Sequence, residues 1–469
     1  MMNVMETLVR FATETKFGDL PEDVVHETKR ILLDSLGSAL GGLSIDKGKI
    51  AVEFARRCGG PSEASIIGTG DRISYFGAAF ANGELIQAID YDPVIFPAIH
   101  VTPFVLAAPL ALAEGNHTSG KEFIRAAAIA IETSVRFAMA FRKVREISDE
   151  SDTHKPATGY SWNVFGGTAA SGLVLGLDPN KIANALGIAG VISPVNAREQ
   201  FASSVPMAMT KHLMAGWMCG SEITAALLAE MGYIGDTAVL DGENGYWKFS
   251  GYGQWEPDAI TDGLGKIWHF VAGTNYKIYP CCGILRTCLD CFIDIINKNN
   301  IKPGDIEKIK VYEDPSCTRP PWQNKDIKTS VDAQFSVAYT FSVAAHGVEV
   351  GPEWQDLGTM QNASILRLME KITAEPHPDY MKVHREDPTS KLGKVLVVAK
   401  GKTFSEERRH FKGDSDPEEF RLKDDDIAEK FRQQSCKILL PEKVDRAVDS
   451  ILSLESESDI CNVMKSITL

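Results

Sequence analysis

The sequence predicts a mainly α-helical protein, a large helical domain carrying an inserted smaller α+β lid. Three observations predict it. Apolar residues at helical spacing dominate residues 1–271. Alternating strand-like runs are confined to residues 272–410, and charged amphipathic helix returns over residues 411–469. These three stretches are the expected helical domain, lid domain and return to the helical domain, and 469 residues is more than one compact core usually holds.

The first long helix is expected over Pro21–Leu40, opening on Pro-Glu-Asp and closing before Gly41-Gly42. Ala78–Ile89, Thr102–Glu114 and Gly120–Phe141 read the same way. Gly166–Leu177, Ile182–Ser193 and Ala215–Ala229 are apolar and rich in small residues, as buried central helices that approach one another closely must be. Gly166-Gly167 belongs to neither a P-loop nor a G-x-G-x-x-G pattern, so nucleotide binding is not expected. Near residue 272 the pattern changes. Lys277-Ile-Tyr-Pro280 enters a helix expected to reach about Asn299. Ile306–Tyr312 and Lys394–Val398 alternate as strands, Gly401–Arg409 completes a hairpin, and Phe335–Ala345 is an apolar stretch between them. Asp424–Gln433 and Pro441–Leu454 are amphipathic helices.

A net charge of -14 argues against nucleic acid or an anionic membrane surface as partner. It also requires a local positive pocket for any anionic substrate. No run of about 20 apolar residues is present to span a membrane, and Met1–Arg10 lacks the pattern of a secretory signal. Nine cysteines without a spaced framework fit reduced thiols in a cytoplasmic protein. Cys281, Cys282, Cys288 and Cys291 cluster, but four thiols on one short segment suit packing better than zinc, and no metal is expected.

Five segments carry chemistry. Asp90-Tyr-Asp92 and His100 lie on a loop punctuated by Pro93 and Pro97, ahead of the helix expected from Thr102. A base beside a helix N-terminus suits proton transfer next to an anion; helix caps and a packed histidine fit the same spacing. His154-Lys-Pro-Ala-Thr-Gly159 is a second loop. Thr210-Lys211-His212 opens the Ala/Gly-rich helix, where a lysine opposes the helix dipole unless a ligand supplies negative charge. Tyr276-Lys277-Ile-Tyr-Pro-Cys-Cys282 and Gln334-Phe-Ser-Val-Ala-Tyr339 are the remaining two.

With Asp34-Ser-Leu-Gly37, Asn82-Gly83, Ala333-x-x-Ser336-x-x-Tyr339 and Glu429-Lys-Phe431, these segments make the whole chain resemble the MmgE/PrpD family. That family includes 2-methylcitrate dehydratase, cis-aconitate decarboxylase and iminodisuccinate epimerase. The resemblance implies a helical domain with a smaller lid, a homodimer, and an active site between the two domains. It places Asp90 and His100 at acid/base positions, and His154, Lys211, Lys277 and Tyr339 at other pocket positions. Decarboxylase-like members carry a histidine where this chain has Cys282. Several relatives have Pro-Cys-Cys-Arg followed by Thr-His, positions that are Gly283 and Arg286 here, and a threonine after Asp-x-Asp is Val94.

The expected activity is therefore that of a cofactor-independent, metal-independent lyase acting on a small di- or tricarboxylic acid. His100 and Asp90 would transfer the proton, with Asp90 orienting the ring, and Tyr339 would protonate from the lid. Lys211, Lys277 and Arg286 would bind carboxylates, with His154 and Cys282 as further substrate-binding residues. Epimerisation through the same carbanion is the alternative, then decarboxylation. An inactive ligand-binding homologue is the alternative from another class.

Overall fold

Helix signals in the sequence become helices wherever a cap and an apolar face coincide. The computed structural model describes residues 3–147, 159–195, 198–250 and 255–469. Helix α1 (Glu22–Gly42) starts after Pro21 with Glu22 and Asp23 in its first turn, where carboxylates favour the dipole. Helix α2 (Tyr75–Ala88) is capped by Ser74, whose side chain accepts from the Gly77 amide. Helices α3 (Gly120–Ile147), α4 (Asn163–Val174), α5 (Pro179–Ile192) and α6 (Ala215–Glu230) complete the body. α6 lies at the centre, against α2, α4 and α5. Its small residues permit this: a Cβ on Gly216 would lie 2.6 Å from the Phe80 carbonyl oxygen of α2.

The helix expected over Thr102–Glu114 is broken. It forms one turn, Thr102–Val105, and restarts as Ala107–Gly115. Pro109 accounts for the break, because its ring conflicts with a helical carbonyl four residues back, at Val105.

Two short strands join the body to the lid. β1 (Val94–Ile95) pairs antiparallel with β2 (Thr274–Asn275), Val94 opposite Asn275 and Ile95 opposite Thr274. The expected helix from Lys277 begins only at α7 (Arg286–Lys298), since Pro280 holds the preceding segment irregular. α7 packs on a four-stranded sheet of order β4-β3-β5-β6, formed by β3 (Ile306–Glu313), β4 (Ile372–Pro376), β5 (Gly393–Ala399) and β6 (Lys402–Arg408). β3 runs antiparallel to β5 and parallel to β4. The β5–β6 hairpin turns on Lys400 and Gly401, both at positive φ, as two-residue hairpin turns require. Helix α8 (Val337–Ala345) occupies the apolar stretch between β3 and β4.

Two apolar cores result. One runs from Val4 to Tyr276 and resumes from Leu422 to Ile467; the other runs from Tyr279 to Ala399 and takes Ala202 and Met207 from the body. The return is sealed by helix α9 (Asp424–Ser435) against α1, where a Cβ on Gly37 would lie 3.1 Å from the Phe431 ring. Among the described residues, no helix is long and apolar enough to cross a membrane.

Candidate active site

Helix α2 stops at Ala88, and Asp90 enters the left-handed region at φ 56°. Lys211 does the same at φ 49°, Ile99 at φ 70° and Tyr160 at φ 66°. Side chains with a Cβ adopt this conformation at a cost, and four such residues meet around one site.

Charge holds two of them, Asp90 and Lys211. Asp90 is buried, with Oδ1 2.7 Å from Lys211 Nζ and Oδ2 3.1 Å from Lys277 Nζ. Lys277 Nζ also donates to the Asp90 carbonyl oxygen at 2.8 Å. Burial alone would raise the Asp90 pKa, but Lys211, Lys277 and His100 overcome it and hold the group well below the usual carboxylate range. For Lys211 burial wins and its pKa is lowered; for Lys277 the carboxylates of Asp90 and Asp92 outweigh burial and raise it. Lys211 precedes the start of α6 by four residues, so it is a turn residue paired with Asp90 and not a lysine in the helix's first turn. Its ammonium stands behind Asp90, off the wall of the main cavity.

His100 is oriented by Asp92, a correction to the expectation that Asp90 orients it. Nδ1 is 3.1 Å from Asp92 Oδ2, whereas Nε2 is 4.0 Å from Asp90 Oδ1. Burial raises the Asp92 pKa, but His100 and Lys277 overcome that and keep it lowered, so the carboxylate accepts and Nδ1 carries the proton. When the ring carries a single proton, Asp92 holds it on Nδ1 and leaves the Nε2 lone pair for a substrate proton. The His212 ring stacks on His100 at 4.6 Å, and Tyr160 meets His100 edge-on at 5.8 Å.

These groups open onto a cavity of about 320 Å³ between body and lid. Body and linker supply Asp90, His100, Tyr160, His212 and Lys277, and the lid supplies Cys282, Arg286, Arg319, Trp322 and Lys391. Four lysines and arginines face two carboxylates on this wall, Asp90 and Asp314. That is the local positive field an anionic substrate needs in a chain of net charge -14.

Arg286 is the most informative cation. It opens α7, lies 3.7 Å over the Phe411 ring, and donates Nε to the Gly283 carbonyl at 3.0 Å. Its buried Nη1 has no hydrogen-bond partner among the described residues. Burial lowers its pKa to about 10, so it stays charged at neutral pH and under-compensated. A guanidinium in that condition is suited to a carboxylate.

Cys282 lies on the cavity wall with its thiol pushed up to about 12 by burial, and is therefore neutral. Cys281, Cys288 and Cys291 pack in the lid core. Tyr339 is not brought to the cavity. It is buried in the lid, and its hydroxyl donates to the Trp354 carbonyl at 2.7 Å, so delivery of a proton by Tyr339 is not available in this arrangement. His154 lies outside the described residues. Sequence reasoning left out Asp92, His212, Tyr160, Arg319 and Lys391 as site residues. Asp92 and His212 were signalled by adjacency to Asp90 and Lys211; Arg319 and Lys391 carry no local signal.

Asp90, Asp92 and His100 each offer an atom within 4.8 Å of the others, a spacing compatible with a metal ion. Both Asp90 oxygens already face ammonium groups and His100 Nδ1 faces Asp92, so the donors suit proton transfer better than a second cation.

Over 99% of this chain and 97% of the relative, the sequence is 25% identical to the cis-aconitate decarboxylase-like protein oryM of Aspergillus oryzae. It is 25% identical to the cis-aconitate decarboxylase of Homo sapiens over 100% of this chain and 95% of the relative. With that of Aspergillus terreus it shares 23% identity over 98% and 95%. The MmgE/PrpD N-terminal domain matches residues 6–258 and the MmgE/PrpD C-terminal domain residues 279–455, so the chain belongs to the MmgE/PrpD family.

Proposed function

We propose that this chain is a lyase that needs neither metal nor cofactor and removes a proton beside a carboxylate of a small di- or tricarboxylic acid, expelling a group from the neighbouring carbon. The observation that carries the reading is His100, braced by Asp92, on the same cavity wall as Arg286, whose Nη1 has no hydrogen-bond partner among the described residues. Arg286 and Lys277 hold the carboxylate, His100 Nε2 takes the α-proton, and the positive wall stabilises the charge that develops. The wall tyrosine, Tyr160, and the second imidazole, His212, are placed to serve the leaving group in the role first expected of Tyr339.

Decarboxylation is the second reading, favoured by the names of the curated relatives. Against it stands Cys282, a neutral thiol where decarboxylase-like members carry an imidazole. A screen of small polycarboxylic acids in deuterated water, followed by proton NMR, tests both. Alkene signals with all carboxyl groups retained support elimination; loss of one carboxyl group with deuterium incorporation makes the chain a decarboxylase. Exchange with inversion alone would make it an epimerase, and no exchange across the screen would overturn the reading in favour of a ligand-binding homologue.

The chain is further proposed to work as a homodimer. Val195, Met214 and Trp217 are 57%, 37% and 52% exposed around one hollow, an apolar face that a second copy of the chain can cover.

A further inference from the structure

A second hollow, of about 390 Å³, lies where the turn after Ala107–Gly115 meets the segment around Cys461. None of its lining residues lines the catalytic cavity. His117 leaves the helix at φ 54°, with its ring toward residues 459–461. Its Nδ1 is 2.8 Å from Asp459 Oδ2 and 3.6 Å from Cys461 Sγ. All three donor atoms lie within 4.8 Å of one another.

The sulfur–nitrogen separation is that of a zinc site, and Nδ1 and Oδ2, in hydrogen-bond contact at 2.8 Å, need to part by only about 0.5 Å to share the ion. Zinc bonded to sulfur at about 2.3 Å and to imidazole nitrogen at about 2.0–2.1 Å, at a tetrahedral angle, holds S and N about 3.6 Å apart. The backbone sets the donors in advance. Ile460 N donates to the Thr118 carbonyl and Gly120 N to the Glu457 carbonyl, both at 2.9 Å, lacing the two segments together. Cys461 N donates to Asp459 Oδ1 at 2.8 Å, which leaves Oδ2 directed at His117. The surrounding charge also permits a cation. Arg72 is paired with the buried Glu114 and Asp71 with Arg56, so Asp459 and Lys465 are the remaining pair of charged side chains on the wall.

We propose that His117 Nδ1, Asp459 Oδ2 and Cys461 Sγ bind one zinc ion, with water in the fourth position, and that the ion clips the segment around Cys461 to the helical body. Binding forms one bond from each donor to the ion. The imidazole proton that faces Asp459 on Nδ1 moves to Nε2 through solvent, the Sγ–H proton passes to solvent as the Zn–S bond forms, and no electrons are transferred. The Sγ–H bond to the Glu114 carbonyl, 3.1 Å long, is given up in exchange.

The test uses the full chain, stripped of metal with a chelating resin and titrated with zinc chloride by calorimetry. One ion should bind per chain and raise the melting temperature, and His117→Gln and Cys461→Ser should each weaken binding at least tenfold. Cobalt(II) gives an independent readout: wild type should show a thiolate-to-cobalt absorption that Cys461→Ser lacks. His117 is exposed, so His117→Gln keeps the test valid should Cys461→Ser fail to fold. Absence of stoichiometric binding overturns the proposal. So does stoichiometric binding equal in wild type and both variants, which would place the ion elsewhere, with the Asp90–Asp92–His100 group the next site to examine.

Discussion

At the scale of single residues, the site divides its labour between groups that touch substrate and groups that hold those groups still. In the proposed mechanism His100 belongs to the first kind. His100→Asn keeps approximate size and removes the base, so turnover should fall by about two to four decades while the Michaelis constant changes little; near-normal turnover with the true substrate would make His100 a packed histidine only. The same mechanism puts Arg286 in the first kind, on a buried Nη1 without a partner among the described residues. Arg286→Met should cost about 1.5–3 kcal/mol of binding, read as one to two decades in the Michaelis constant. Asp90 belongs to the second kind. Asp90→Asn leaves Lys211 and Lys277 buried without their shared counter-charge and should cost about 3–5 kcal/mol of stability at neutral pH. The sign with pH follows from the lowered pKa of Asp90: its stabilisation is present above its ordinary value of 3.8 and lost as pH falls through the lower folded value. Urea midpoints of wild type and variant should therefore converge on acidification below pH 3.8, and a gap that stays constant would refute the linkage. The sequence announces Asp90 and His100 because helix-ending prolines and carboxylates punctuate that loop. It does not announce that Lys211, 121 residues away, is the partner of Asp90, because nothing local encodes so distant a pairing.

At the scale of elements, the long helices are legible because each buries a face over several turns, whereas the connections that position the site are not. β1 and β2 have two residues each, too few for any period to show, yet they tie the His100 loop to the lid entry. β4 is concealed for a related reason: a five-residue edge strand ending in proline, with one buried position, alternates too little to be read. α7 starts at Arg286 and not at Lys277, about two and a half helical turns later, and the cations at 277 and 286 both line one cavity. The contact of α1 with α9 explains two motifs that have no chemistry of their own. Asp34 of α1 lies 2.7 Å from Lys430 of α9, and Lys430 Nζ donates to the Tyr91 carbonyl at 2.8 Å, supporting the Asp90–Asp92 turn from below. Burial outweighs Lys430 here and raises the Asp34 pKa to about 6. Its contribution to stability is then full below 3.8 and is lost as pH rises through about 6. Asp34→Asn cannot titrate, so the decline of the urea midpoint between pH 4.5 and 7 should be shallower in the variant than in wild type. Parallel declines would place the titration on another group.

At the scale of the whole molecule, the hydrophobic period changes near residue 272, and the larger apolar core runs from Val4 to Tyr276 and resumes at Leu422 while a second runs from Tyr279 to Ala399. The route by which the body supports the site from outside was not legible. Residues 210–214 have the main cavity on one side and the exposed hollow on the other, with His212 lining both. A partner seated on Val195, Met214 and Trp217 would therefore brace the turn that carries Lys211 and His212, so assembly and catalysis would be coupled through that turn. In light scattering after size-exclusion chromatography, wild type should elute at twice the 51.3 kDa chain mass. Trp217→Glu places a charge at the centre of the apolar face and should give a single-chain mass with helical content retained. Because small displacements of a positioning group cost up to about two decades in rate, the monomeric variant should lose one to two decades of turnover while the Michaelis constant moves less. A wild-type chain that is monomeric at micromolar concentration and fully active would remove the dimer; a Trp217→Glu dimer with unchanged turnover would place the interface on another face.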